Sequence, residues 1–129
     1  MHASYSAEQL KKNRASMLLT GGGEAERRAF AVAAAEALPG EPFVEVKDPA
    51  QVARALKATR GTVYVPDVTA LPEALQRELV RVLREQEERP RFALGVPTSV
   101  EAAVGQGGLL DGLGYWLRAA VVDVKKKAR

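Results

Sequence analysis

Gly61-Thr62-Val63-Tyr64-Val65-Pro66-Asp67-Val68, followed by Leu71-Pro72-Glu73-Ala74-Leu75-Gln76-Arg77-Glu78-Leu79-Val80-Arg81-Val82-Leu83-Arg84-Glu85, is the stretch that decides the fold. Thr62 to Val65 are all β-branched or aromatic, and so short an apolar run suits a strand buried on both faces. Pro72 stands at the position expected for a first helical residue, where its missing N–H has no intrahelical partner to lose. Leu75, Leu79, Val82 and Leu83 recur at helical spacing, and Glu73, Arg77, Arg81 and Arg84 fall off that stripe. A buried strand that feeds an amphipathic helix is the repeating unit of a parallel α/β sheet.

Outward from this unit the same alternation recurs. Ser6 to Arg14 is expected to be a short helix capped by Ser6, with Glu8 in its first turn. Ser16 to Thr20 is a strand, broken by Gly21-Gly22-Gly23. Glu24 to Leu38 is a helix whose apolar face is Phe30, Ala33, Ala34, Ala37 and Leu38, stopped by Pro39-Gly40. Phe43 to Val46 is a strand. Asp48-Pro49 reads as N-cap and first helical residue, with Val52 and Leu56 facing inward. Phe92 to Val96 is a fourth strand, Thr98 or Ser99 caps a short helix through Val104, Leu109 to Leu117 is helical, and Ala120 to Val124 is a fifth strand. Five strands alternating with helices predict a three-layer α/β/α sandwich around a five-stranded parallel sheet. The expected organisation is one domain over residues 1–124 and a basic tail over 125–129.

Composition narrows the function classes. The 129 residues are long enough for one core. Apolar residues make up 47% and charged residues 27%, ordinary for a globular protein. There is no cysteine, which excludes disulfides and thiolate chemistry. The first residues show no secretory pattern, and no apolar run approaches the roughly 18 residues a membrane helix needs. The cytoplasm is therefore the expected compartment. The net charge of +3 resides in the tail: Lys125, Lys126, Lys127 and Arg129 hold four of the 19 positive charges, and the other 15 face 16 negative ones. A nucleic-acid binder is expected to carry a basic patch on its body as well. The charge run Glu85, Glu87, Glu88, Arg89, Arg91 reads as a solvated helix end. Asp67, Asp111 and Asp123 have no spacing that suits a metal cage, and His2 stands alone, so no metal and no cofactor is expected. Tyr115 and Trp116 are adjacent and cannot share one helical face. One is expected in the core, and the other, exposed, marks an interface.

The central stretch resembles the Walker B strand and following helix of bacterial enhancer-binding proteins, the AAA+ activators of the sigma-fifty-four factor. Their strand reads roughly G-T-L-F-L-D-E and their helix L-P-x-x-L-Q-x-x-L-L-R-V-L-Q-E. Gly61, Thr62, Leu71, Pro72, Leu75, Gln76, Leu79, Arg81, Val82, Leu83 and Glu85 match. The resemblance runs from about Leu18 to Val124. Leu18-Leu19-Thr20-Gly21 looks like the strand into Walker A, Arg91 to Val96 like the sensor strand, and Leu113, Tyr115 and Leu117 like the L-Y-Y-R-L helix. It implies the AAA+ strand order, with the first strand central.

The same resemblance places the catalytic parts where this chain lacks them. A phosphate-binding loop needs glycines that let backbone N–H groups wrap the phosphates, a Lys against their charge and a hydroxyl for magnesium. Here Gly21 is kept, but Glu26, Arg27 and Arg28 replace the second Gly, the Lys and the hydroxyl residue. Pro66 and Asp67 stand at the two Walker B acids, Pro97 at the sensor Asn, and Gly108 and Leu110 at the arginine fingers. Only about a dozen residues lie between Val46 and Gly61, too few for the G-A-F-T-G-A loop that grips the sigma factor. Five residues follow Val124, too few for a helical lid.

The resulting expectation is a non-enzymatic, pseudo-ATPase AAA+-like domain acting as a protein–protein interaction or regulatory module, linked to transcription regulation. A protein partner is expected, no membrane, and self-association stays open. Two alternatives remain: a nucleotide or anion sensor that binds at Gly21, Gly22, Gly23 and Arg27 without hydrolysis, and an accessory factor whose basic tail contacts DNA.

Overall fold

The structure, a computed structural model, describes residue 9 and residues 14–125. The strands are β1 (Met17–Thr20), β2 (Phe43–Glu45), β3 (Thr62–Val65), β4 (Arg91–Gly95) and β5 (Val121–Asp123). The helices are α1 (Glu24–Glu36), α2 (Pro49–Ala55), α3 (Glu73–Glu85), α4 (Val100–Gly105) and α5 (Asp111–Trp116), with a 3₁₀ turn over Val68–Ala70. The sheet is five-stranded in the order β2-β3-β4-β1-β5, and each pairing is parallel. The middle strand is β4. The first strand is interior, between β4 and β5, so the strand order is the expected one although the exact middle falls on β4. The helix expected over Ser6 to Arg14 falls outside the described residues except for helical Gln9 and for Arg14, which is not helical.

Alternation along each strand builds two cores. Leu18, Val63, Val65, Phe92 and Leu94 point to one face, where Val52 and Leu56 from the α2 segment, Leu79 and Val82 of α3 and Leu113 of α5 cover them. Met17, Leu19, Tyr64, Ala93 and Val122 point to the other, against Ala31 and Ala34 of α1. Helices on both faces of a parallel sheet make the three-layer sandwich.

Local differences from the sequence reading have physical causes. Pro72 has φ −56° and ψ 150°, so it is the cap and α3 begins at Glu73. A proline fixes φ but leaves ψ open. Asp48 accepts a hydrogen bond from Gln51 N at 2.9 Å and starts α2 as expected. The buried stripe of α1 is Arg27, Ala31 and Ala34, while Ala37 is exposed. Arg91 is no part of a solvated helix end. It opens β4 at 0% exposure, its guanidinium donating to Ala34 O at 2.6 Å and to Thr62 Oγ1 at 3.2 Å. Burial is the first cause that lowers its pKa from the ordinary arginine value.

Candidate functional site

The site lies where α/β sheets usually bind ligands, beyond the carboxyl ends of the strands. Three of those ends meet here: Gly21-Gly22-Gly23 after β1, Pro66-Asp67 after β3 and Val96-Pro97 after β4. Gly95 lets the last two approach, since a Cβ there would lie 2.2 Å from Pro66 O.

The glycine loop turns left-handed at Gly21 (φ 74°) and Gly22 (φ 56°), then delivers Gly23 as the cap of α1. A helix start offers unpaired N–H groups to an anion. Here the chain supplies its own anion: Glu26 Oε1 accepts from Gly23 N at 2.7 Å. Arg27 turns inward. It is buried, and its Nη1 donates to Gly21 O at 3.2 Å and Gly22 O at 3.3 Å. Asp123 closes the loop from β5, with its carboxylate where a Gly21 Cβ would point. Glu24 accepts from the Tyr64 hydroxyl at 2.8 Å. Burial, and then this carboxylate, push the Tyr64 pKa up.

Beside the loop is a recess of about 310 Å³ bordered by Glu24, Glu45, Lys47, Pro66 and Asp67. Arg28 pairs with Glu45 at 2.9 Å. Asp67 accepts from Thr69 N at 3.0 Å and from the Thr69 hydroxyl, capping the 3₁₀ turn. No group of three or more acidic or histidine side chains among the described residues is arranged to hold a metal ion.

Gly108 and Leu110 are held by a residue that was not singled out as functional in the sequence. Gln76, 3% exposed, donates to Gly108 O at 2.9 Å and Leu71 O at 3.1 Å, and accepts from Leu110 N at 2.7 Å. Its place on the inner side of the Leu75–Leu79 stripe was the available signal. Tyr115 and Trp116 are both exposed, at 58% and 47%, so neither is the core residue expected of one of them. Arg118 lies over the Tyr115 ring at 4.0 Å. Lys125 is exposed, and its backbone N–H donates to Asp123 Oδ1 at 3.1 Å. Lys126, Lys127 and Arg129 lie outside the described residues.

No family model and no curated protein matches this chain. Solved structures do. The P-loop NTPase domain of the Sigma-54 transport activator from E. coli superposes with a TM-score of 0.75 at 19% identity, over 91% of this chain and 95% of that one. NtrX from Brucella abortus in complex with ATP gives 0.71 at 18%, over 92% of this chain and 35% of NtrX. A DNA polymerase III gamma subunit-related protein from Thermotoga maritima gives 0.62 at 15%, over 91% and 44%. The fold is thus that of the P-loop NTPase domain seen in these structures. The chain spans about a third of the length of NtrX. No helix among the described residues is long and apolar enough to cross a membrane.

Proposed function

We propose that this AAA+-like domain does not turn over ATP and works as a protein–protein interaction or regulatory module in transcription control, in the cytoplasm. One observation carries the reading: the Glu26 carboxylate already occupies the Gly23 N–H that a phosphate would need. The surroundings support it. Glu24 and Asp67 border the adjoining recess, together with Lys47 and the Arg28-paired Glu45, and a carboxylate a few Å from a phosphate repels it by about 1–4 kcal/mol at wet to surface-like dielectrics. Arg27 points away from that space. With catalysis set aside, the function rests on surface, and exposed Tyr115 and Trp116 offer one anchor of the kind that concentrates binding energy.

Thermal denaturation with millimolar Mg-ATP, Mg-ADP and phosphate tests the reading. A ligand stabilises the fold once its concentration approaches its Kd, so no rise in Tm is expected. A rise of several degrees would overturn the proposal and favour a nucleotide or anion sensor at Gly21 to Gly23.

A further inference from the structure

The flank of the sheet opposite β5 ends in β2, and no strand lies beyond it among the described residues. Pro42 O and Val46 N bond toward β3. By alternation the main-chain groups of Phe43 and Glu45 point away from the sheet. An edge of this kind is a template for a further strand.

Next to the edge is a groove of about 350 Å³ between β2, β3 and the α2 segment. Its wall is apolar: Val44, Val46 and Val63 from the strands, Ala55 and Ala58 from the α2 side. Val44 is 42% exposed although its neighbours Val46 and Val63 are buried, because α2 ends at Ala55 and leaves it uncovered. Arg54 and Arg60 line the same groove, and Lys57 lies on the same segment. All three are exposed and none lies within ion-pair distance of a carboxylate among the described residues, Arg60 donating to Gly40 O at 3.2 Å and acting on Glu41 through its charge only. The groove's own acid, Glu45, is engaged by Arg28 at 2.9 Å.

We propose that this groove takes an extended, acidic segment of a partner protein, which adds to β2 as a sixth strand. Main-chain pairing with Phe43 and Glu45 supplies affinity, and alternate side chains supply specificity. One side chain of each pair is apolar and enters beside Val44. Flanking carboxylates meet Arg54, Lys57 and Arg60, since complementary charge selects partners and speeds encounter. The chain's own ends do not fit: residues 1–13 carry Lys11 and Lys12 against Glu8, and residues 126–129 carry Lys126, Lys127 and Arg129 without an acid. A second copy paired through β2 would set the same cations against each other. Nucleic acid would meet the charge but leave the strand edge and the apolar wall unused. The inference names a partner chemistry for the interaction module proposed above and rests on that reading.

The test is fluorescence anisotropy of the intact chain with a labelled peptide whose central alternating valines are flanked at both ends by glutamates. Three controls are the lysine–valine counterpart, the acidic peptide N-methylated at every second amide, and a single-stranded oligonucleotide. The acidic peptide is expected to bind at least tenfold more tightly than either peptide control. Arg54→Glu with Arg60→Glu, and separately Val44→Glu, are expected to weaken it at least tenfold. Arg77→Ala, on the exposed side of α3, leaves it unchanged. Arg54→Gln with Arg60→Gln, a gentler pair, weakens it several-fold and covers the case in which charge reversal impairs folding. Backbone amide shifts should localise to residues 43–46 and 54–60. No binding at millimolar peptide, equal binding of the lysine or N-methylated peptide, displacement by the oligonucleotide, or shifts at residues 113–118 would each overturn the proposal. The groove shares only Glu45 with the recess beside the glycine loop, so nucleotide-induced stabilisation would end the non-catalytic reading without altering the peptide titration.

Discussion

Glu26 Oε1 sits 2.7 Å from Gly23 N, three residues back along the chain, and so closes the start of α1 with an anion of the protein's own. The relationship is half of a capping box: a residue in the third helical position reaches back to the cap's N–H. The helix dipole favours negative charge at this end, and the carboxylate provides it at a fixed distance with no entropy of association. Any phosphate would have to displace it.

Repair of the loop therefore requires more than one side chain. The variant Glu26→Gly, Arg27→Lys, Arg28→Thr, Pro66→Asp, Asp67→Glu restores the residues that a phosphate loop and magnesium site use. We expect no ATP hydrolysis above background in a coupled phosphate-release assay. Gly108 and Leu110 have no guanidinium, and their backbones are tied to Gln76. In related phosphoryl-transfer enzymes an arginine finger is worth about 10³–10⁵ in rate. Measurable turnover would show that side-chain loss at the loop and strand end was the only defect.

Gly21 is the loop position least tolerant of a side chain. Its φ of 74° is left-handed, and a Cβ would lie 2.0 Å from Asp123 Oδ1. The conformation alone is unfavourable by roughly 1–2 kcal/mol for an alanine, and the exposed Asp123 side chain must also swing aside. Gly21→Ala is expected to lower Tm by several degrees, whereas Gly23→Ala, at φ −101° with open surroundings, is expected to lower it less. Equal losses in a side-by-side thermal melt would contradict this ordering.

Gln76 joins α3 to the segment before α5 through one amide. Gln76→Leu keeps much of the volume but strands Gly108 O and Leu110 N in a half-buried place, at up to about 1–3 kcal/mol for each unsatisfied group. The expected loss in urea unfolding is about 2–4 kcal/mol. Arg77→Ala, next in sequence but on the exposed side with a surface ion pair to Glu73, is expected to change stability by less than about 1 kcal/mol.

Glu41 carries a pH dependence of definite sign. The Arg14 guanidinium, and then the Gly61 amide at 2.9 Å, hold its carboxyl below the ordinary value of 4.5. A depressed folded pKa stabilises the fold at pH above the unfolded value, and the effect fades as pH falls through the folded one. Glu41→Gln is thus expected to melt below the wild type at pH 7, with the gap closing as pH drops below about 4.5. A gap that widens in acid would refute the assignment.

How much of this was legible in the sequence differs from residue to residue. Thr62 to Val65 announced a buried strand, and the spacing of Leu75, Leu79 and Val82 announced the face of α3, because period-2 and period-3.6 patterns are local. The Asp48 cap was equally readable, since its acceptor and donor are three residues apart. Gly21 announced a turn. Arg91 misled, because a charged residue next to Glu87, Glu88 and Arg89 looks solvated until Ala34 O and Thr62 Oγ1, 57 and 29 residues away, are brought to its guanidinium.

The sequence by itself determined the succession of strands and helices and the two-sided burial of the sheet. These follow from residue type and short spacing. Only the tertiary structure decided that Arg27 turns toward the loop carbonyls, that Asp123 packs against Gly21, that Tyr115 and Trp116 are both exposed, and that an apolar groove with Arg54 and Arg60 runs beside β2. Each of these depends on which elements the parallel crossovers bring together. A side chain's direction and neighbours are set by packing between segments far apart in sequence, on which a local pattern is silent.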